Sequence, residues 1–357
     1  MSTSALPLGP VMLDVLGLEV TDADRQRLLH PLTGGVILFQ RNYASPEQVA
    51  SLCGDIRALR SPELLIGVDH EGGRVQRFRP GYTLIPAMAE LGALWNEDRS
   101  AARRRTEAAG VVIATELGAS GVDFSFTPVL DIDFGRSGVI GSRAFHQDAE
   151  AVADLAAALI TGLERGGSTG IGKHFPGHGF AGEDSHFEIP IDPRPLSEIR
   201  AVDLAPYRRL AQRLGGVMPA HVIYPAVDRV PAGFSQIWLQ DVLRSEIGFD
   251  GLIFSDDLSM EAASIAGGIV ARAGAALSAG CDMVLVCNRP DLADELLNGL
   301  VWHPADTREK RLARMRSTKR FASLAAAQRD GAYEAALRQL QSSPIATASR
   351  APDPPKG

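Results

Sequence analysis

Short, nearly continuous apolar runs recur eight times along the chain, each parted from the next by a longer stretch of helical character. The runs are Val11–Leu16, Gly35–Phe39, Leu64–Asp69, Phe124–Leu130, Gly170–His174, Gly216–His221, Gly251–Asp256 and Met283–Cys287. A strand with one wet face alternates apolar and polar residues, whereas a run that is apolar throughout needs cover on both faces. The intervening segments supply that cover, with helices expected over Ser45–Leu59, Ala101–Ser120, Asp148–Arg165, Ser197–Leu214, Gln236–Ile247 and Ala262–Ala279. Ser45-Pro46 is a helix start signal and Gly166-Gly167 a stop signal. The alternation predicts an α/β fold with a parallel sheet, and eight repeats predict a closed (β/α)8 TIM-type barrel. The alternative, an open doubly wound sheet, lacks its glycine-rich dinucleotide turn, since Gly72-Gly73 does not complete that pattern.

Past Asn288 the alternation weakens. Thr307–Ala327 reads as basic and helical, Gly331–Leu340 as one more helix, and Ser342–Gly357 as a disordered tail rich in Ser, Ala and Pro. The expected organisation is therefore one barrel domain with C-terminal helices over residues 1–341 and a tail over 342–357.

Charged residues gather where the predicted strands end. Asp69, His70 and Glu71 close the third run; Asp131 and Asp133 follow the fourth; Lys173 and His174 close the fifth, His221 the sixth, and Asp256 and Asp257 the seventh. Each would carry a desolvation cost if it served only packing. In a barrel these ends meet on one face, so a single polar pocket accounts for them together. His221 fits a core histidine as well as a pocket wall. Side-chain alternation should leave only one of Asp256 and Asp257 facing that pocket.

The densest polar stretch is Lys173-His174-Phe175-Pro176-Gly177-His178-Gly179 followed by Glu183-Asp184-Ser185-His186, holding three of the chain's eight histidines. Glycine and proline break regular structure there, so the stretch reads as a loop hung from a strand end, a common place for functional groups.

Composition narrows the partners. A formal charge of −7, with no basic run longer than Arg103-Arg104-Arg105, argues against nucleic acid or an anionic membrane as the main partner. The N-terminus does not resemble a secretory signal, and no apolar stretch is long enough to span a bilayer. Cys53, Cys281 and Cys287 form neither a disulfide framework nor a metal-type pair. A cytoplasmic location is expected.

These residues together resemble family 3 glycoside hydrolases. The resemblance rests on Lys173 to Gly179, Asp184-Ser185-His186 and Phe254-Ser255-Asp256-Asp257-Leu258-Ser259-Met260. Asp69-His70-Glu71-Gly72-Gly73-Arg74-Val75-Gln76-Arg77 and Ser142-Arg143-Ala144-Phe145 extend it. It runs from about Val11 to Asn288 and is closest to the single-domain bacterial β-N-acetylglucosaminidases of peptidoglycan recycling. His70 departs from the pattern, standing where glutamine is expected.

The resemblance implies a retaining, exo-acting enzyme that releases terminal GlcNAc from muropeptide fragments containing 1,6-anhydro-N-acetylmuramic acid. It implies Asp256 as nucleophile, Asp257 being the competing candidate, and His186 as acid/base with Asp184 as its partner. A carboxylate beside an imidazole favours the protonated acid needed in the first step. Asp69, Arg77, Arg143, Lys173 and His174 are implied to bind the sugar. His178 is expected to fix the loop, Asp131 and Asp133 to serve structure at the barrel top, and Met260 to pack. No metal or organic cofactor is implied, and the chain is expected to act as a monomer. The alternatives are a β-glucosidase or phosphorylase of the same family, a zinc hydrolase using His174, His178 and His186, and a sugar-binding barrel without chemistry.

Overall fold

The computed structural model describes residues 4–5, 8–182, 189–303 and 307–341. All eight predicted strands are present: β1 (Val11–Leu13), β2 (Thr33–Leu38), β3 (Leu65–Val68), β4 (Phe124–Ser125), β5 (Gly170–Phe175), β6 (Leu214–Pro219), β7 (Leu252–Asp257) and β8 (Met283–Val286). They form one parallel sheet in the order β4-β3-β2-β1-β8-β7-β6-β5. The two edge strands then meet. Ile171 N donates to Thr127 O at 2.7 Å, Lys173 N to Pro128 O at 3.2 Å, and Leu130 N to Lys173 O at 2.6 Å. These bonds close the eight-stranded sheet into a barrel, so its own strands present no open edge.

Alternation along each strand sorts its side chains into two layers. Met12, Ile37, Leu65, Phe124, Ile171, Met218, Leu252, Phe254, Met283 and Leu285 pack together inside the barrel. Their neighbours Val11, Leu13, Val36, Leu38, Ile66, Val68 and Val217 point outward against the helices. The rings of Phe124, Phe126 and Phe254 form an interlocking trio with centroids 5.2 to 5.7 Å apart.

The helical layer departs from expectation in several places. Pro46–Ala58, Arg99–Ala119 and Ala149–Gly166 lie where expected. The last is ended by Gly167 at φ 93°, a left-handed position that glycine adopts without strain. The helix expected over Ser197–Leu214 is two, Leu196–Ala201 and Leu204–Leu210, and Leu214 already belongs to β6. Asp203, at the break, turns its carboxylate inward to Arg194. The segment expected over Ala262–Ala279 is a 3-10 turn over Glu261–Ala266 and a helix over Ile269–Ala279, divided at Gly267 with φ 95°. Ile237–Glu246 is helical with wide π-type turns. Three helices escaped prediction: Asp22–Leu28, Met88–Glu97 and Pro290–Gly299.

The basic C-terminal segment is not continuously helical, forming only Arg308–Ala313 and Leu324–Ala327 before the helix Gly331–Gln341. It closes the N-terminal mouth of the barrel. Arg308 is buried and donates to the carbonyls of Asp282 at 2.8 Å, Leu8 at 2.7 Å and Gly9 at 2.5 Å. Arg316 donates to Leu64 O at 3.0 Å. These acceptors precede β8, β1 and β3, so the arginines satisfy backbone groups at the strand starts. Polar chemistry on that face is used for structure, and the opposite face remains for function. The expected tail over 342–357 lies outside the described residues.

Helices Arg99–Ala119 and Ala149–Gly166 pack closely because glycines face each other's backbone. A Cβ on Gly162 would lie 2.0 Å from Glu107 O, and one on Gly110 would lie 2.3 Å from Leu159 O. Gly162→Ala is therefore expected to cost about 1–3 kcal/mol by forcing the helices apart. Urea unfolding should show a lower midpoint at unchanged slope; an unchanged midpoint would contradict this packing.

Candidate active site

The C-terminal ends of the strands surround a cleft of about 470 Å³. Its wall contains Asp69, Glu71, Arg77, Arg143, Lys173, His174, His178 and Asp256. A larger groove of about 820 Å³ lies on the outside, between Gly81–Pro86 and the C-terminal helix. That groove has no carboxylate or imidazole in its wall, so size alone does not locate the site.

The cleft is built on a buried ion network. Lys173, on β5, reaches Asp69 at 2.8 Å and Glu71 at 2.6 Å. Arg143, presented by the turn Gly141–Arg143, grips Glu71 through two nitrogens at 2.8 and 2.9 Å. Arg77 approaches Asp69 at 3.4 Å from the hairpin formed by His70–Gly72 and Val75–Gln76. Ser125 fixes the root of that hairpin, accepting from His70 N at 2.9 Å and donating to His70 O at 3.0 Å.

Burial opposes the charge on Glu71, but Arg143 and Lys173 outweigh it and hold the carboxyl well below its ordinary range. Burial likewise opposes Asp69, and Lys173 and Arg77 still bring its pKa down. Arg143 loses hydration on burial, yet Glu71 raises its pKa.

Asp131 organises the histidines. It is fully buried and accepts from His174 N at 3.2 Å, from His174 Nδ1 at 2.6 Å and from His178 N at 2.7 Å. Burial resists its ionisation, but His174 and then His178 keep its pKa low. Arg143 lies 3.3 Å from His174 Nε2 and can only donate, so Nε2 accepts and the ring proton resides on Nδ1, facing Asp131. The Nε2 contact is the one a ligand could replace. Asp131 thus has the structural place expected of it, with two histidines depending on it. Asp133 caps a turn through Gly135 N at 2.8 Å.

Asp256 and Asp257 both border the cleft, so alternation separates them less cleanly than expected. Their bonding does separate them. Asp257 accepts from Ser259 N at 2.9 Å, Ser259 Oγ at 2.8 Å and Cys287 N at 3.1 Å. Burial pushes its carboxyl up to about 6, against those bonds and with the help of neighbouring Asp256. Asp256 accepts from Asp257 N at 2.8 Å. His221 lies behind the wall, fully buried, stacked on Phe234 and donating from Nε2 to Asp257 O at 3.2 Å. Met260 forms part of the cleft wall.

His186 and Asp184 lie outside the described residues. The chain on either side of them is firmly held. Arg194 pairs with Asp192 at 2.6 Å and Asp203 at 2.9 Å, and its guanidinium rests 4.4 Å from the Phe180 ring centroid. Tyr224 donates to Gly177 O at 2.7 Å.

The sequence placed Glu71 among the strand-end charges of one pocket but gave it no role of its own; it is the anion that joins Lys173 to Arg143. Its only signal was its place two positions past a strand-end aspartate; the hairpin that brings it to Arg143 is seen only in the structure. Among the described residues no three His, Cys, Asp or Glu side chains are grouped so as to hold a metal ion. No helix among them is long and apolar enough to cross a membrane.

Folding lowers the pKa of Glu71, so its stabilisation is complete above the ordinary value of 4.5 and is lost as pH falls through the folded value. Glu71→Gln should be about 3–5 kcal/mol less stable at pH 7. The wild type should lose stability below about pH 4.5, and the variant should fall more gently. Parallel curves would contradict the network's role.

A family model described as the glycosyl hydrolase family 3 N terminal domain matches residues 11–314. A β-hexosaminidase from Methylobacillus flagellatus is 54% identical over 336 residues, covering 94% of this chain and 96% of that protein. Another from Thiobacillus denitrificans is 56% identical over 338 residues, covering 94% of each. NagZ from Neisseria gonorrhoeae, solved in complex with N-trifluoroacetyl-D-glucosamine, superposes with a TM-score of 0.89 at 50% identity. That match covers 94% of this chain and 98% of the neighbour.

Proposed function

The chain belongs to glycosyl hydrolase family 3, and from that premise we propose that it is a retaining, exo-acting β-N-acetylglucosaminidase. The observation that carries the reading is the convergence of Asp69, Arg143, Lys173, His174 and Asp256 on one cleft at the C-terminal face of the barrel. The relatives named β-hexosaminidase support the activity, and the gonococcal neighbour's complex with an N-acylated glucosamine supports the sugar.

In this mechanism Asp256 attacks the anomeric carbon and forms a covalent glycosyl-enzyme, which water then hydrolyses. His186, oriented by Asp184, protonates the departing oxygen in the first step and activates water in the second. Asp69 accepts from hydroxyls on one edge of the sugar, while Arg77, Arg143 and Lys173 donate to others. Asp257, held by three hydrogen bonds, orients the strand end rather than reacting. The substrate we propose is a cytoplasmic muropeptide fragment bearing terminal GlcNAc on 1,6-anhydro-N-acetylmuramic acid.

Turnover of an aryl β-N-acetylglucosaminide beside the matching β-glucoside tests the reading. The N-acetyl sugar should be cleaved preferentially, with Asp256→Ala abolishing it. Preference for the glucoside would place the chain among β-glucosidases, and sugar 1-phosphate formed in phosphate buffer would make it a phosphorylase. His186→Ala should lose roughly 10²–10⁴-fold on poor leaving groups while sparing the first step with very acidic ones. Equal loss across all leaving groups would count against the acid/base role.

A further inference from the structure

We propose that the imidazole of His178 contacts the bound substrate directly, pairing with a sugar hydroxyl; the inference rests on the glycosidase reading above. Its backbone N–H is bound to Asp131 at 2.7 Å, so the loop is anchored there by main chain and the ring is left for another use. Nδ1 and Nε2 are both buried and have no hydrogen-bond partner among the described residues. The residue is only 3% exposed yet forms part of the cleft wall together with Asp256 and His174. A buried donor and acceptor left unpaired are costly, and such groups in a cleft point to a ligand that completes them.

The backbone that carries the ring is fixed. A Cβ on Gly177 would lie 2.5 Å from Asp203 Oδ1 and one on Gly179 would lie 1.8 Å from Ile132 O, so the chain is pressed into place on both sides. Both nitrogens are covered in this structure, so the contact is made by a turn of the ring toward the cleft on this fixed backbone. Burial lowers the pKa of the ring and favours the neutral form, against the pull of Asp131 and Asp256. A neutral imidazole offers one N–H and one lone pair, and a hydroxyl can satisfy either. His221 provides the contrast. Its Nδ1 is also without a partner, but its Nε2 is bonded to Asp257 O and the residue forms no part of the cleft.

The test compares wild type with His178→Phe and His178→Asn. Melting temperatures are measured with and without GlcNAc, and kcat/KM with an aryl β-N-acetylglucosaminide. A substrate contact predicts that the free Phe variant melts at or above the wild type, since an unpaired polar ring has been removed. Its kcat/KM should fall at least about tenfold, with a diminished rise in melting temperature on adding GlcNAc. The Asn variant, which can still form one hydrogen bond, should lie between. Activity within about twofold of wild type in the Phe variant would overturn the proposal. So would a large drop in the melting temperature of both free variants, which would make the ring structural. A wild type that neither responds to GlcNAc nor cleaves the glycoside would instead sink the enzyme reading, and this inference with it.

Discussion

Two carboxylates and two cations meet in the cleft wall, Glu71 and Lys173 fully buried, Asp69 and Arg143 partly so. Any one of them alone in a barrel mouth would carry a heavy desolvation cost. Together they balance, and the two carboxyls are held ionised by the cations beside them. The network also ties three parts of the chain, namely the end of β5, the hairpin after β3 and the turn at Gly141–Arg143. These charges are oriented before any ligand enters, so little reorganisation of the cleft wall is required on binding.

A second hub, Asp131, extends that order to the histidines. Its one carboxylate sets the His174 tautomer and pins the backbone of His178. Because His174 Nε2 then accepts from Arg143, the two hubs are coupled through that single contact. Around His178 the chain is clasped again, by Tyr224 at Gly177 and by Arg194 resting on Phe180.

The barrel was legible because its periodicity is simple. Buried parallel strands read as apolar runs, and their eightfold recurrence leaves few other architectures. The meeting of Asp69, Lys173, His174 and Asp256 was legible for the same reason, since a barrel gathers strand ends. Glu71 was harder to read because its importance depends on a hairpin folding it back under Arg143, a tertiary event with no local pattern. The division at Val202–Asp203 was hidden likewise: Asp203 leaves the helical path to meet Arg194, a partner defined only in three dimensions. Arg308 and Arg316 read as a basic helical face, yet they satisfy carbonyls at strand starts more than 240 positions away in sequence.

The most direct test of the central claim is to trap the covalent intermediate. A slow fluorinated N-acetylglucosaminide would be incubated with the protein, which is then digested and its peptides weighed by mass spectrometry. The account predicts one added glycosyl mass on the peptide containing Phe254–Met260, assigned by fragmentation to Asp256. An adduct on Asp257 or elsewhere, or turnover with inversion at the anomeric carbon, would contradict it.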